Sequence, residues 1–463
     1  MPTSRKTAKA QAKTRRRPAN RPDANLLSDL MAWAKVAGAD AADALYVNGE
    51  SISVAWRMGK QERLESSEGR DLGLRVFVGQ RQAFVSSTDF EPKALRSLAT
   101  RAVDMARAVP EDPVCGIAPS ELIASDWPDL DLDDKRRSSA KALLQLAAEA
   151  EDAARAVKGV TNSEGAEASW GRTSVMLAAS NGFSGSYRRA GYSLSCAVLA
   201  GEGTGMERDY EWSSAVHFED LMAASRVGRN AGKFAVRRLS PRKAQSTRVP
   251  VVYDRRVAGS LLGHLSSAIN GRAVARGTSF LKDKMGAKVF ADGIRILDHP
   301  HRKRGLGSRP FDAEGLPTKR CAVIEDGELT TWLLDLAAAR QLKLAPTGHA
   351  ARGTSGPPSP SSSNFYLEKG KCSVEELISD IKSGLFITDL IGFGVNGVTG
   401  DYSRGASGFW IENGTLAWPV SGITVAGNLK DMFLSMTPAN DLQFKGATNA
   451  PSVRIEGMTV AGS

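Results

Sequence analysis

Chemistry in this chain has to come from few residues. Only five histidines occur, His217, His264, His299, His301 and His349, which limits any catalysis that depends on imidazole. Two of them stand in Asp298-His299-Pro300-His301. On a strand both rings would share a face, and Asp298 could serve as a third metal ligand or as an orienter. The flank Arg302-Lys303-Arg304 would repel a divalent cation, so a loop-structuring role is expected instead. Gly392, Gly394 and Gly397 spell G-x-G-x-x-G after the strand-like Leu385–Ile391, with Glu412 about 20 residues on, where a ribose-binding acid belongs. Dinucleotide binding needs a helix opening at the glycines to hold the pyrophosphate. The residues that follow, Val398 to Gly408, are no helix, so turns and bulges account for these glycines better.

Cys115, Cys196, Cys321 and Cys372 lie far apart and form no C-x-x-C pair. Free, mostly buried thiols in a reducing cytosol are expected, not a disulfide framework or a structural zinc site. No G-x-S-x-G, P-loop or H-E-x-x-H occurs. A serine triad assembles in space and spacing does not exclude one; a pocket holding His349 beside a serine or carboxylate would be its sign. In Gly400-Asp401-Tyr402-Ser403-Arg404-Gly405, Asp401 and Arg404 read as a short-range ion pair fixing a turn, or as substrate-facing groups with Arg404 meeting a carboxylate.

The elements that must position these residues divide the chain in two. Helical spacing covers Asn25–Ala37, Pro92–Val109, Asp134–Val157 and Phe218–Val236. Between them run strand-like Ala44–Val47, Ser51–Trp56, Ser174–Ala178, Gly182–Ala190 and Tyr192–Ala200, and a hairpin of Gly73–Val78 with Gln82–Ser86 through Gly79. The basic, polar stretch Arg237–Arg248 is the candidate boundary. Beyond it come a strand at Val249–Tyr253, a helix at Ala258–Ile269 and many short β-like runs. A helix at Ser373–Ser383 interrupts them, with Ser373 and Glu376 at capping-box spacing. The fold class is therefore α+β, with an α+β domain over 23–240 and a mainly β, barrel-like or sandwich-like domain over 241–463. Residues 353–363 are all Gly, Ser, Thr or Pro and read as a flexible loop.

The 463 residues carry a net charge of +10, but residues 1–22 hold eight basic side chains and no acid. Without them, 53 basic residues face 51 acidic ones, a body of +2. The tail reads as a disordered, solvated extension; it has no h-region of a secretory signal and no interleaved aromatics for nucleic-acid readout. No run of about 18 apolar residues points to a membrane span.

Long strings in the second half carry a resemblance. They are G-D-Y-S-R-G-A-S-G-F-W-I-E-N-G at Gly400–Gly414, I-T-V-A-G-N-L-K-D-M at Ile423–Met432, P-F-D-A-E-G at Pro310–Gly315, T-G-H-A at Thr347–Ala350 and D-H-P-H at Asp298–His301. With G-L-R-V-F-V-G-Q-R-Q-A-F-V-S-S-T-D at Gly73–Asp89, they resemble the TldD/TldE ("modulator of DNA gyrase") family in its PmbA (TldE) branch, from about residue 23 to the end. The resemblance implies a cytoplasmic, heterodimeric metalloprotease acting on unfolded peptides. In the TldD partner a helix bears H-E-x-x-x-H, a later Cys is the third ligand, the metal (zinc by expectation) activates water and the Glu is general base. Here the comparable helix reads Gly263-His264-Leu265-Ser266-Ser267-Ala268, and His264 falls where that Glu would be. Neither ligand His is present, and no Cys follows Cys372. The expectation is a subunit with no catalytic, cofactor or metal residues of its own, pairing with a TldD-like chain or with itself. The alternative is a regulatory or binding protein associated with gyrase or nucleic acid, although nucleic acid is not expected as a partner.

Overall fold

The computed structural model describes residues 25–462, so the basic tail lies outside the described residues. In the first half, α1 (Asn25–Val36) leads into β1 (Ala41–Arg57), β2 (Lys60–Val78) and β3 (Arg81–Ser87). Helices α2 (Pro92–Ala108) and α3 (Ala140–Arg155) precede β4 (Val160–Ala179), β5 (Ser184–Ala200) and β6 (Glu207–Ala215), and α4 (Ala224–Arg237) closes the set. The six strands form one antiparallel sheet in the order β3-β2-β1-β4-β5-β6.

Alternation decides what each face of that sheet meets. Ala42, Ala44 and Tyr46 of β1 pack with Leu72, Leu74 and Val76 of β2 under α1 and α2. Further along the same face, Val54, Ala168 and Trp170 pack under α3 and α4. The intervening residues Asp43, Leu45, Gly73 and Arg75 point the other way, and there Leu45, Leu177 and Phe183 pack against Phe311 of the second half. The two strand-like pieces expected at Ala44–Val47 and Ser51–Trp56 are one strand. Asn48 and Glu50 between them are polar and Gly49 has no side chain, yet all three stay in register with Arg70, Glu68 and Gly69 of β2.

Helices α3 and α4 touch through small residues. A Cβ added at Gly228 would lie 1.8 Å from the carbonyl oxygen of Ala150. Gly228→Ala must therefore push the helices apart. We expect it to lower stability by about 1–3 kcal/mol, read as a lower urea midpoint; an unchanged midpoint would contradict this packing.

The second half opens with β7 (Thr247–Tyr253), α5 (Arg255–Ala268) and α6 (Gly271–Ala275). Then come β8 (Ile296–Asp298), β9 (Cys321–Glu325), β10 (Glu328–Leu329), α7 (Leu336–Leu342), β11 (Ala350–Ala351), β12 (Ser359–Pro360), β13 (Phe365–Leu367) and α8 (Val374–Ile378). It ends with β14 (Ser383–Val395), β15 (Asp401–Glu412), β16 (Thr415–Asn428), α9 (Leu429–Leu434), β17 (Met436–Pro438), β18 (Thr448–Asn449) and β19 (Val453–Ala461). Strands β16-β15-β14-β7-β19 pair in that order and β16 pairs again with β19, so the expected β domain is a closed five-stranded barrel and not a sandwich. Closure leaves these five strands no free edge except where they outrun their partners. A second sheet runs β10-β9-β8-β13-β18. Helix α5, capped by the Asp254 carboxylate at the Arg256 amide (2.8 Å), buries Leu261, Leu262 and Leu265 in the core these elements share. The capping box of Ser373 and Glu376 forms in both directions at α8.

Residues 353–363 depart from expectation. Thr354 hydrogen-bonds Asp71 of β2, and Arg272 of α6 donates to the Pro358 carbonyl. The Asn270 side chain donates to the Pro360 carbonyl at 2.9 Å and Arg309 to the Ser361 carbonyl at 2.6 Å. The segment is bound along its length across both halves. Gly73 must be glycine here, since a Cβ would sit 2.1 Å from the Thr354 carbonyl oxygen.

Candidate functional site

Helix α5 is where the resemblance places a metal-binding face. Two of its serines are turned to the helix's own backbone: Ser260 Oγ donates to the Val257 carbonyl (2.7 Å) and Ser267 Oγ to the Gly263 carbonyl (3.0 Å). His264 is half-buried with its ring edge-on to Tyr402 at 5.9 Å, and its Nε2 has no hydrogen-bond partner among the described residues. Burial, and then the positive charge of Arg404, hold this imidazole below its usual pKa. One imidazole nitrogen within the field of a guanidinium does not fit a divalent cation, which needs three or four converging donors. Among the described residues no group of three or more His, Cys, Asp or Glu side chains is placed to hold a metal ion.

Arg404 and Asp401 stand on β15 beside the turn of a long hairpin. They do not pair with each other. Asp401 accepts from Thr399 Oγ1 (2.6 Å) and Asn428 Nδ2 (3.0 Å), and these bonds, Thr399 first, hold its carboxyl below the usual range. Arg404 Nε donates to the Ile391 carbonyl at 3.3 Å, and its guanidinium lies 5.9 Å from the Phe393 ring centroid. Gly392, Gly394 and Gly397 shape this hairpin. Gly392 has φ +84°, and a Cβ at Gly394 would meet the Ser403 carbonyl oxygen at 2.3 Å. Ile391 (64 %), Phe393 (96 %) and Val398 (55 %) are exposed at the tip, beside an open cleft of about 610 Å³ that Asp401, Tyr402 and Ser403 help to line. Large apolar side chains presented together to water mark an interaction surface.

His349 does lie beside a carboxylate and a serine, in a geometry that is not a triad. Its Nε2 is 3.2 Å from Asp298 Oδ2 and its Nδ1 is 2.8 Å from Thr347 Oγ1. Ser363 Oγ donates to Asp298 (2.6 Å) rather than to the imidazole. The Thr347 hydroxyl also accepts from the Leu334 amide at 2.8 Å. All of His349, Asp298 and Ser363 are buried. The group knits β8 to residues 347–363 and offers no hydroxyl poised to attack. Asp298 is thus engaged away from His299 and His301, and His301 Nε2 meets Thr318 Oγ1 at 2.9 Å. Of the free cysteines only Cys196 is fully buried; Cys115, Cys321 and Cys372 are half-buried.

A buried charge cluster that no sequence motif marks joins the halves. Arg75 Nε donates to Asp43 Oδ2 at 2.7 Å, and Arg75 Nη1 stands 3.6 Å from Glu314 Oε1. Arg352 Nη1 lies 2.6 Å from Asp43 Oδ1. Burial alone would raise the Asp43 carboxyl, but Arg352 and Arg75 outweigh it and hold it below the usual value. Glu314 goes the other way. Burial raises its carboxyl to about 7 in spite of Arg75, and neighbouring Asp312 is raised by burial too. The available signal was a single charge inside each apolar strand, Arg75 in G-L-R-V-F-V and Asp43 in A-D-A-L-Y. A second link runs from Arg256 on α5 to Asp209 on β6 at 2.9 Å.

With this geometry the chain matches three consecutive domains of one family: PmbA/TldA metallopeptidase domain 1 over residues 42–106, the central domain over 126–239 and the C-terminal domain over 246–462. It is 39% identical over 425 residues to metalloprotease PmbA of Escherichia coli O157:H7, covering 91% of this chain and 92% of that one. It is 34% identical to the PmbA homolog of Haemophilus influenzae, covering 89% and 90%. A Bacteroides thetaiotaomicron crystal structure described as a modulator of DNA gyrase superposes with a TM-score of 0.87 at 28% identity, covering 95% and 98%. TldE from Thermococcus kodakarensis, at 18% identity, has the same fold, with a TM-score of 0.85 over 94% and 100% of the two chains. Similarity along nearly the whole length places this chain in the PmbA/TldD family of metalloproteases.

Proposed function

We propose that this chain is the non-catalytic, TldE-type subunit of a two-chain metalloprotease that trims or degrades unfolded peptides in the cytoplasm. The catalytic metal, zinc by its chemistry, belongs to a TldD-like partner. One observation carries the reading: the helix that should bear the ligands offers a lone imidazole, set edge-on against Tyr402, and no cluster of metal-ligating side chains stands beside it among the described residues. The exposed Ile391, Phe393 and Val398 support a partner-docking role for the β14–β15 hairpin. Arg404, with no carboxylate partner among the described residues, and Asp401 are assigned to the substrate-facing side of the same hairpin. No helix among the described residues is long and apolar enough to cross a membrane.

Reconstitution tests the proposal. Mixed with a TldD-like chain, the protein should form a complex that cleaves an unfolded peptide and loses that activity to a chelator. Alone it should be inert and should retain no stoichiometric zinc. Light scattering of each mixture separates the heterodimer from a self-paired chain. Chelator-sensitive cleavage by this chain alone would overturn the assignment.

A further inference from the structure

A cavity of about 290 Å³ lies where the two halves meet, bounded by Ala215 and Val216 at the end of β6, by Arg302–Leu306 after β8, and by Phe444. Arg302 lies flat on Phe444, its guanidinium carbon 3.4 Å from the ring centroid, and Tyr366 backs the ring edge-on at 5.1 Å. A guanidinium stacked by its face keeps its N–H groups directed outward in its own plane, the arrangement that meets a carboxylate at two points.

Arg302 has no such carboxylate among the described residues. Burial lowers its pKa and only the Tyr366 phenol acts against this, so the charge is partly desolvated and uncompensated. Arg256, Arg272 and Arg340, also half-buried, differ. Arg256 meets Asp209 at 2.9 Å, Arg272 meets Asp335 at 2.7 Å, and Arg340 is held by the carbonyls of Val114, Gly116 and Ile117. Asp220 also borders the cavity, but it turns to Arg304 (3.2 Å), which Asp131 and Glu219 hold as well. Lys303, exposed at the rim, adds a second cation with no ion-pair partner among the described residues.

We propose that this cavity binds a carboxylate carried by an extended peptide, with Arg302 making the planar two-point contact and Lys303 contributing charge at the mouth. The proposal rests on the peptide-handling reading above and names one chemical feature of the peptide. The carboxylate could come from a chain end or from a Glu or Asp side chain.

Calorimetry on the full chain, without its partner, tests this with three unstructured peptides of one core sequence. One is amidated and free of acids, one ends in a free carboxylate, and one is amidated with a single central Glu. At least one carboxylate peptide should bind about tenfold more tightly than the neutral one, and which of them does so identifies the source. Arg302→Gln should erase that preference, Arg302→Lys should restore part of it, and Lys303→Gln, at an exposed position, should weaken it about threefold. Equal binding of all three peptides, binding of none, a preference that survives Arg302→Gln, or tighter binding of inorganic phosphate would each overturn the proposal. Loss of this binding leaves reconstituted cleavage standing, and failed cleavage with intact binding removes only the protease reading.

Discussion

Arg75→Met should be the most damaging single change in the junction, lowering stability by about 3–5 kcal/mol. Arg75, Asp43 and Glu314 are all buried, so none recovers its hydration when a partner is removed. Arg352 still neutralises Asp43 at 2.6 Å in this variant. Glu314 has no second cation in contact and faces Asp312 and Asp335, which already push its carboxyl up. It must either take a proton or stay charged without a partner. Arg81→Met is the control, because its ion pair with Glu111 (3.1 Å) is exposed and worth at most about 1 kcal/mol. Urea midpoints by circular dichroism check both, and equal small shifts would mean that the buried cluster does not hold the halves together.

The same cluster should make stability rise as the solution is acidified below neutrality. The Glu314 carboxyl is raised from 4.5 to about 7 in the folded protein, chiefly by burial. Above about pH 7 it is charged in both states, and below 4.5 it is protonated in both. Between these values only the folded chain holds the proton, so its contribution grows as pH falls, by at most roughly 3 kcal/mol. His264, His299 and His301 act in the opposite sense. Burial first, and then nearby cations for His264 and His299, hold them below 6.5, so they lose stability as pH falls through that value. Asp254 and Glu207, also raised by burial, share the sense of Glu314 and are present in any variant of it. The quantity to measure is therefore the difference in pH slope between the natural chain and Glu314→Gln over pH 5–8. The substitution keeps an acceptor for the Leu336 amide, which donates to Glu314 Oε2 at 2.8 Å. The glutamine variant should rise less steeply as pH falls, by the Glu314 contribution, and identical slopes would place the titration elsewhere.

The amino-acid order determined the local elements. Apolar alternation in Gly73–Val78 and Gln82–Ser86 is enough to make a hairpin, and it does. The dipolar logic of a capping box made Ser373 and Glu376 legible as a helix start. The residues after Gly397 exclude a phosphate-binding helix, and the lone His264 of Gly263–Ala268 is legible in the amino-acid order itself. Each of these rests on neighbours within a few positions, where sequence and space coincide.

What remained was decided by contacts between distant residues. Closing the barrel takes the pairing of β16 with β19, which alternation cannot specify. Residues 353–363 have the composition of a flexible loop, but Asp71, Arg272 and Arg309 bind them from far along the chain. Strand alternation sets Asp43 and Arg75 on the face opposite Ala44 and Leu74. Only the tertiary structure shows that this second face is dry and meets Glu314 and Arg352 rather than water. A charge's effect depends on the dielectric around it and on the partner within a few ångströms, and both are properties of the folded arrangement.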